Sequence, residues 1–373
     1  SPNNISMQAV SWGGSSLYPN SEYNLADNAS LVQIGGWGQF SAIDLQKKLS
    51  GKQASVSPSI SDRTEALHGA CVKKDLETML QLTYLCFTSP RKDDEAYNSM
   101  LERVRNSLKN ADMNPATALS DSVASVVYNN NVRAVRLRAE DVDDLSYDRI
   151  MEIYKERFAN ASDFEFYFVG DVDADSIMPL LTEYLGSLPV AKKGEKYRVV
   201  DQRMTKGERT CIFQKEQDTP NAICNFIYHA PMAYNLKNIV MLSMLKQSMQ
   251  MLYTEKVRED EGGAYSVPVS GRLVDYPEKY ATIQIKLPTS PDKLERMTQV
   301  IYEGIESLCT EGPSEDYLQK IREYMVRAHA EDLKDNDYWM SQLVQRTRFG
   351  RNMVDGYDDV VRNVTVADLK ALA

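Results

Sequence analysis

Apolar and polar positions change period along the chain in an order that occurs twice. Alternation over 7–12, Met-Gln-Ala-Val-Ser-Trp, predicts a short strand closed by Gly13-Gly14. Helical spacing predicts helices over 25–34 and 43–49, stopped by Gly35-Gly36 and by Gly51. Alternation returns over 54–60 and 64–72 as two strands, and a helix over 76–87 runs up to Pro90. Two helical pieces fill 93–129, with Asn114-Pro115 opening the second. Helices over 139–145 and 147–158 lead into the clearest strand, Phe-Glu-Phe-Tyr-Phe-Val at 164–169, and a helix over 173–185 stops at Gly186.

The stretch Lys192-Lys193-Gly194-Glu195-Lys196 is charged and poor in apolar residues, which predicts a linker. Beyond it the order begins again: strands over 210–214 and 223–228, a helix over 236–257, a hairpin over 264–287, a helix over 294–308, then helices to the end. Laying 51–56 over 262–267 aligns a helix, its glycine stop and a first hairpin strand in both halves, which predicts a long-period duplication. The expected fold is α+β, with two similar domains, 1–190 and 208–373, joined by a linker at 191–207; each is a mostly antiparallel sheet packed with helices. In the first copy a helix opening at 145–149 leads into the strand at 164–169. In the second a similar helix opens at 364–372 with no strand after it, so that domain reads as truncated at its C-terminus.

Composition narrows the function. With 373 residues, 43% hydrophobic and 26% charged, the chain can bury more than one core. A net charge of -10 repels phosphate backbones and anionic membrane surfaces, so no nucleic-acid partner is expected. The basic run at 346–351 reads as a solvated helix end. No stretch approaches the about 18 apolar residues that cross a bilayer. The five cysteines are scattered, without a CxxC, and read as small hydrophobes.

Candidate chemistry gathers at Met-Leu-Tyr-Thr-Glu-Lys-Val-Arg-Glu-Asp-Glu-Gly-Gly-Ala-Tyr-Ser-Val, 251–267. Leu245, Leu252 and Val257 mark the apolar face of a helix, with Glu255 and Lys256 toward water. Gly262 and Gly263 can take the positive φ that ends it, and alternation resumes at Ala264. Arg258 and Tyr265 then flank one helix-to-strand turn, a permanent cation and a phenolic donor suited to a carbonyl oxygen. On spacing alone, an arginine in a last helical turn is a solvated residue favourable to the helix dipole, and a strand tyrosine packs with its hydroxyl wet.

The motif RxxxGxAYSV at 258–267 resembles the signature of the second domain in each half of the pitrilysin/insulysin zinc peptidases, the inverzincins. Arg258 and Tyr265 keep the seven-residue interval, with Glu259, Gly262, Ala264, Ser266 and Val267 also in pattern; Glu261 and Gly263 depart from it, standing where the family more often has leucine. In that family the pair reaches the substrate at a zinc site carried by another domain. The family's zinc ligands sit in HxxEH on a helix. Here the three histidines, His68, His229 and His329, begin no such motif, and Ala26-Asp27-Asn28-Ala29-Ser30 stands where it would be. His68 and His229 read as structural and His329 as a surface residue.

The resemblance therefore implies a noncatalytic C-terminal half of a zinc metalloendopeptidase, of a long bacterial form. This chain would hold no metal. Zinc would sit on a partner half bearing HxxEH, covalently attached or separate. The two halves would enclose unfolded peptides, and Arg258 and Tyr265, with Gly262 and Gly263 shaping their turn, would bind the substrate carbonyl and its oxyanion. Cleavage by this chain alone is not expected. A structural subunit without a peptidase partner and a metal-independent peptide-binding module are the alternatives. The compartment is open; the family resemblance favours the bacterial periplasm.

Overall fold

The computed structural model describes residues 3–191, 194–259 and 266–373. They fall into two compact units, Ser1–Ile212 with Asp335–Leu343, and Phe213–Lys334 with Val344–Ala373.

The first unit is built on an antiparallel sheet. Strand β1 (Asn4–Trp12) lies between β3 (Thr64–Val72) and β4 (Glu165–Gly170), and β2 (Ala54–Ile60) is the outer neighbour of β3. Paired along both margins, β1 buries five of its nine residues. Helix α3 (Leu76–Thr88) closes on the sheet where Gly69 of β3 faces it: a Cβ there would stand 2.9 Å from both Met7 Cε and Met79 Sδ. Helix α7 (Ala174–Tyr184) lies against α3, and the Tyr184 hydroxyl donates to Glu77 Oε1 (2.8 Å) while accepting from Gln81 Nε2 (3.0 Å). Phe87, Phe158 and Phe164 stack around α6 (Tyr147–Arg157), and the buried Tyr154 donates to the Cys86 carbonyl at 2.8 Å.

Asn114 caps α5 (Pro115–Val127) with Pro115 in its first turn, after α4 (Asp94–Met113). The helix expected over 25–34 is instead α1 (Tyr23–Asp27) followed by a 3₁₀ turn at Ala29–Gly35. Asn28 makes the break: its amide side chain donates to the Asn24 carbonyl at 2.8 Å, competing locally with helix continuation. The helix expected over 139–145 is likewise a 3₁₀ turn, Glu140–Asp144, whereas α2 (Ala42–Lys48) is capped by Ser41 as an ordinary α-helix. The stretch around the expected linker is bound to this unit. Glu195 pairs with Arg157 (2.6 Å), Tyr197 lies against Trp12 with ring centroids 5.0 Å apart, the Arg198 amide donates to Ser16 Oγ (2.9 Å), and the Thr205 amide donates to the Val127 carbonyl (2.7 Å).

The second unit repeats the first three strands. Its sheet runs β5–β7–β6, with β5 (Ala222–Pro231), β6 (Val269–Val274) and β7 (Tyr280–Thr289) in the places of β1, β2 and β3. Helix α8 (Leu236–Glu259) lays Val240, Met244, Tyr253 and Val257 into a core with Ile285, Leu287 and Ile301. Helix α9 (Leu294–Thr310) packs close to α8 at Gly304, where a Cβ would lie 2.5 Å from Tyr253 Cε1. No strand forms over 210–214; this stretch is irregular, and Ile212 is 88% exposed. A strand needs a ladder partner, and among the described residues none pairs there.

Helices α10 (Glu315–Asp332), α11 (Asn336–Phe349), α12 (Tyr357–Asn363) and α13 (Val366–Leu372) complete the chain. His329, expected at the surface, is buried: its Nδ1 lies 2.9 Å from Asp358 Oδ1 and its ring 4.1 Å from that of Tyr357. Arg351, read as a solvated helix end, pairs with Asp275 at 2.8 Å and lies over the ring of Tyr234.

Candidate functional site

The end of α8 carries the candidate motif. Its apolar face puts Tyr253 and Val257 into the core, and the Tyr253 hydroxyl donates to the Ile301 carbonyl at 2.9 Å. Arg258 follows Val257 in the last turn of this helix, so its backbone position is fixed by the packing of its neighbour. Gly262, Gly263 and Tyr265 lie outside the described residues, as does the start of the hairpin expected at Ala264; the strand itself begins at Val269. The chain re-enters the core at Val267, 1% exposed.

One side chain ties that re-entry to the helix. Gln250 Nε2 donates to the Val267 carbonyl (2.9 Å), and Gln250 Oε1 accepts from the Val269 amide (3.0 Å). The amide satisfies a donor and an acceptor where the chain enters β6, whose first residue, Val269, stands opposite Ile285 of β7. Two buried valines, Val257 before the motif and Val267 at its end, stand on either side of it, and Gln250 ties the second of them to α8. Sequence reasoning missed Gln250, whose place in an amphipathic helix carries no signal of its own.

Of the five positions aligned with HxxEH, the two alanines are buried. Ala26 and Ala29 are 0% exposed and offer no donor atom to a metal, and Asn28 ends α1. Burial, and then the neighbouring Asp62, raise the Asp27 carboxyl above its ordinary range; burial does the same to Asp62. The cation beside them is Arg133. Its guanidinium donates to the Tyr18 carbonyl (2.6 Å), Asn20 Oδ1 (2.8 Å) and the Ser15 carbonyl (3.2 Å), and sits 4.9 Å from the centre of the Tyr23 ring. These residues do not fit zinc: Ala26 and Ser30 stand at the two imidazole positions and Ala29 at that of the carboxylate base, and an arginine supplies the local positive charge. Among the described residues no group of three or more His, Cys, Asp or Glu side chains is arranged to hold a metal ion.

A second buried charge lies nearby in the fold. Glu65 of β3 is 1% exposed and accepts from the Gly14 amide at 2.8 Å; burial pushes its carboxyl up to about 7 against the pull of that amide and of Arg157. His68 meets Ser59 across the β2–β3 ladder at 3.0 Å, and His229 lies on β5.

Comparison with known proteins places this architecture. The family described as the peptidase M16 inactive domain matches residues 144–325, a span that includes the Arg258 motif. The whole chain aligns over 380 residues, at 22% identity, with a probable zinc protease PqqL of Haemophilus influenzae, 40% of whose length is covered. The family match covers residues 144–325, and the chain as a whole is similar to the PqqL zinc proteases. Its fold is that of the periplasmic protease PqqL of Escherichia coli, with a TM-score of 0.84 at 19% identity over 99% of this chain and 41% of that one. The first half of the same E. coli protease also matches, with a TM-score of 0.76 at 14% identity, covering 99% of this chain and 84% of that one. One fold therefore describes both this chain and a first half. The chain spans 30 to 40% of the length of the curated relatives it matches. Among the described residues no helix is long and apolar enough to cross a membrane.

Proposed function

We propose that this chain is the noncatalytic C-terminal half of an M16 zinc metalloendopeptidase. Its two repeats, 1–190 and 208–373 around a connecting stretch at 191–207, form walls that enclose unfolded peptide. The catalytic half, with HxxEH and its zinc, is a separate stretch of polypeptide. What this chain adds is recognition at the scissile carbonyl. The Arg258 guanidinium and the Tyr265 hydroxyl are both donors, and donors aimed at a carbonyl oxygen hold it more strongly as negative charge develops there. Gly262 and Gly263 give the turn between them its freedom of φ.

The observation that carries this reading is the family match across the Arg258 motif in a chain whose HxxEH position holds two buried alanines. Gln250 and the flanking valines support it, because a donor pair raises a rate only when its frame is held in place. The bacterial periplasm is the favoured compartment, since the E. coli relative of this fold is a periplasmic protease.

The test is reconstitution. A separately produced HxxEH-bearing half and this chain are each inactive on an unfolded reporter peptide, and cleavage appears on mixing. The Arg258→Ala, Tyr265→Phe double variant lowers kcat by about 10²-fold or more, the cost of removing an oxyanion donor. Full kcat from that variant, in a mixture that still assembles, overturns the assignment.

A further inference from the structure

Helix α2 of the first unit buries none of its seven residues. Leu45 packs against the core from one side, and Ser41 caps the first turn, its hydroxyl accepting from the Asp44 amide at 3.1 Å. So short a helix has little stability of its own. The loop ahead of it is fixed by contrast. Trp37 is buried and exchanges backbone hydrogen bonds with Phe40 at 3.1 and 3.0 Å, while the Gly38 amide donates to the Ser89 carbonyl at 2.7 Å.

Between this loop and the helix lies an open cleft of about 510 Å³, lined by Gln39, Phe40, Asp44, Lys47 and Lys48. Asp44, Lys47 and Lys48 stand three and four residues apart, so one face of α2 forms a wall of the cleft. Ile43, a turn before Lys47, is 66% exposed. Lysines in a last helical turn favour the dipole, which accounts for their charge but not for the apolar side chains beside them. Nor are the charges balanced. The Asp44 carboxylate accepts from Ser41 Oγ at 2.7 Å, and among the described residues neither Lys47 nor Lys48 pairs with a carboxylate. Just beyond the helix, Lys52 lies 3.4 Å from Asp75, a carboxylate it shares with the Gln53 amide at 2.8 Å.

We propose that this cleft binds an acidic segment of polypeptide, with one apolar side chain laid against Phe40 and Ile43 and carboxylates to either side of it held by Lys47, Lys48 and Lys52. Charge complementarity selects the acid, and the apolar wall selects a peptide over a bare anion, which has no side chain to place there. The chain's overall negative charge does not prevent this, because fields from beyond about 8 Å are screened at physiological salt and the local lysines decide. An occupant that bridges the fixed loop and α2 also orders the helix. The inference rests on nothing in the Arg258 and Tyr265 assignment.

The probe is a fluorescently labelled peptide of four glutamates around a central phenylalanine, titrated into the full chain and followed by anisotropy, with hydrogen exchange read over 42–49. The peptide binds, slows exchange along α2, and binds more weakly as salt rises. Replacing its phenylalanine with alanine weakens binding about tenfold. Lys47→Glu with Lys48→Glu weakens it about tenfold as well, and Lys47→Gln with Lys48→Gln, which keeps good helix formers in place, repeats the loss at smaller amplitude. Lys109→Glu with Lys155→Glu, at two exposed positions elsewhere, changes the net charge equally and leaves the affinity unchanged. The proposal is overturned if the two pairs of lysines prove interchangeable, or if saturating peptide leaves exchange in α2 unaltered. It is equally overturned if the alanine-centred peptide, a peptide of lysines around phenylalanine, or an oligothymidylate of equal charge binds as tightly as the probe.

Discussion

Glu65 makes the stability of the first unit depend on pH in a direction opposite to that of most carboxylates. Its side chain is sealed under the Gly13-Gly14 turn, where one amide and the Arg157 guanidinium only partly repay the loss of water, so it holds its proton up to about 7. The unfolded chain releases that proton near 4.5. Between those values the native state binds more protons than the unfolded state, so stability falls as pH rises through the window and stays lower above it. At about 1.4 kcal/mol per pH unit, the interval from 4.5 to about 7 amounts to about 3 kcal/mol.

Glu65→Gln keeps an oxygen for the Gly14 amide and removes the charge, while Arg157 retains Glu195 at 2.6 Å. The difference in unfolding free energy, variant minus parent, therefore rises by about 3 kcal/mol between the acid and alkaline ends of the window. Urea unfolding followed by tryptophan fluorescence measures it in the right place, because Trp12, Trp37 and Trp339 all belong to the first unit. A difference that does not change with pH, or that changes with the opposite sign, refutes the reasoning.

Two further variants probe the frame of the motif. Gly304→Ala drives a methyl group to 2.5 Å from the Tyr253 ring and destabilises the second unit by about 1–3 kcal/mol, read as a lower midpoint in urea; an unchanged midpoint would mean that α8 and α9 yield freely. Gln250→Leu keeps side-chain bulk but strands the Val267 carbonyl and the Val269 amide; it speeds exchange at Val269 and lowers kcat of the reconstituted peptidase while leaving the fold intact. Unaltered exchange at Val269 would remove the tie.

Much of the fold was legible in the sequence where local period and tertiary role coincide. The alternation over 54–60 and 64–72 marks β2 and β3 to the residue, because these strands expose one face and bury the other. The Asn114-Pro115 signal places α5 because a cap and a fixed φ act locally. Failures came where a distant partner decides. The apolar pattern over 210–214 has strand character, but no neighbour completes a ladder there. His329 looked solvated because Asp358 and Tyr357, which enclose it, lie about a helix away along the chain. The pattern over 25–34 suits an α-helix and a 3₁₀ turn equally, and the Asn28 side chain chose between them. At the candidate site, the letters of 258–267 stood out, whereas the glutamine that holds their frame did not.

The Gln250 tie has a consequence for how this segment can vary. With the helix exit anchored at Val257 and the strand entry anchored at Val267, a gain or loss of residues between them changes the chain length between two fixed ends. Such a change costs about 0.6 kcal/mol per doubling. The register of β6 against β7 is set downstream and does not move. The ends of the segment, and the sheet beyond it, are thus held independently of what lies between them.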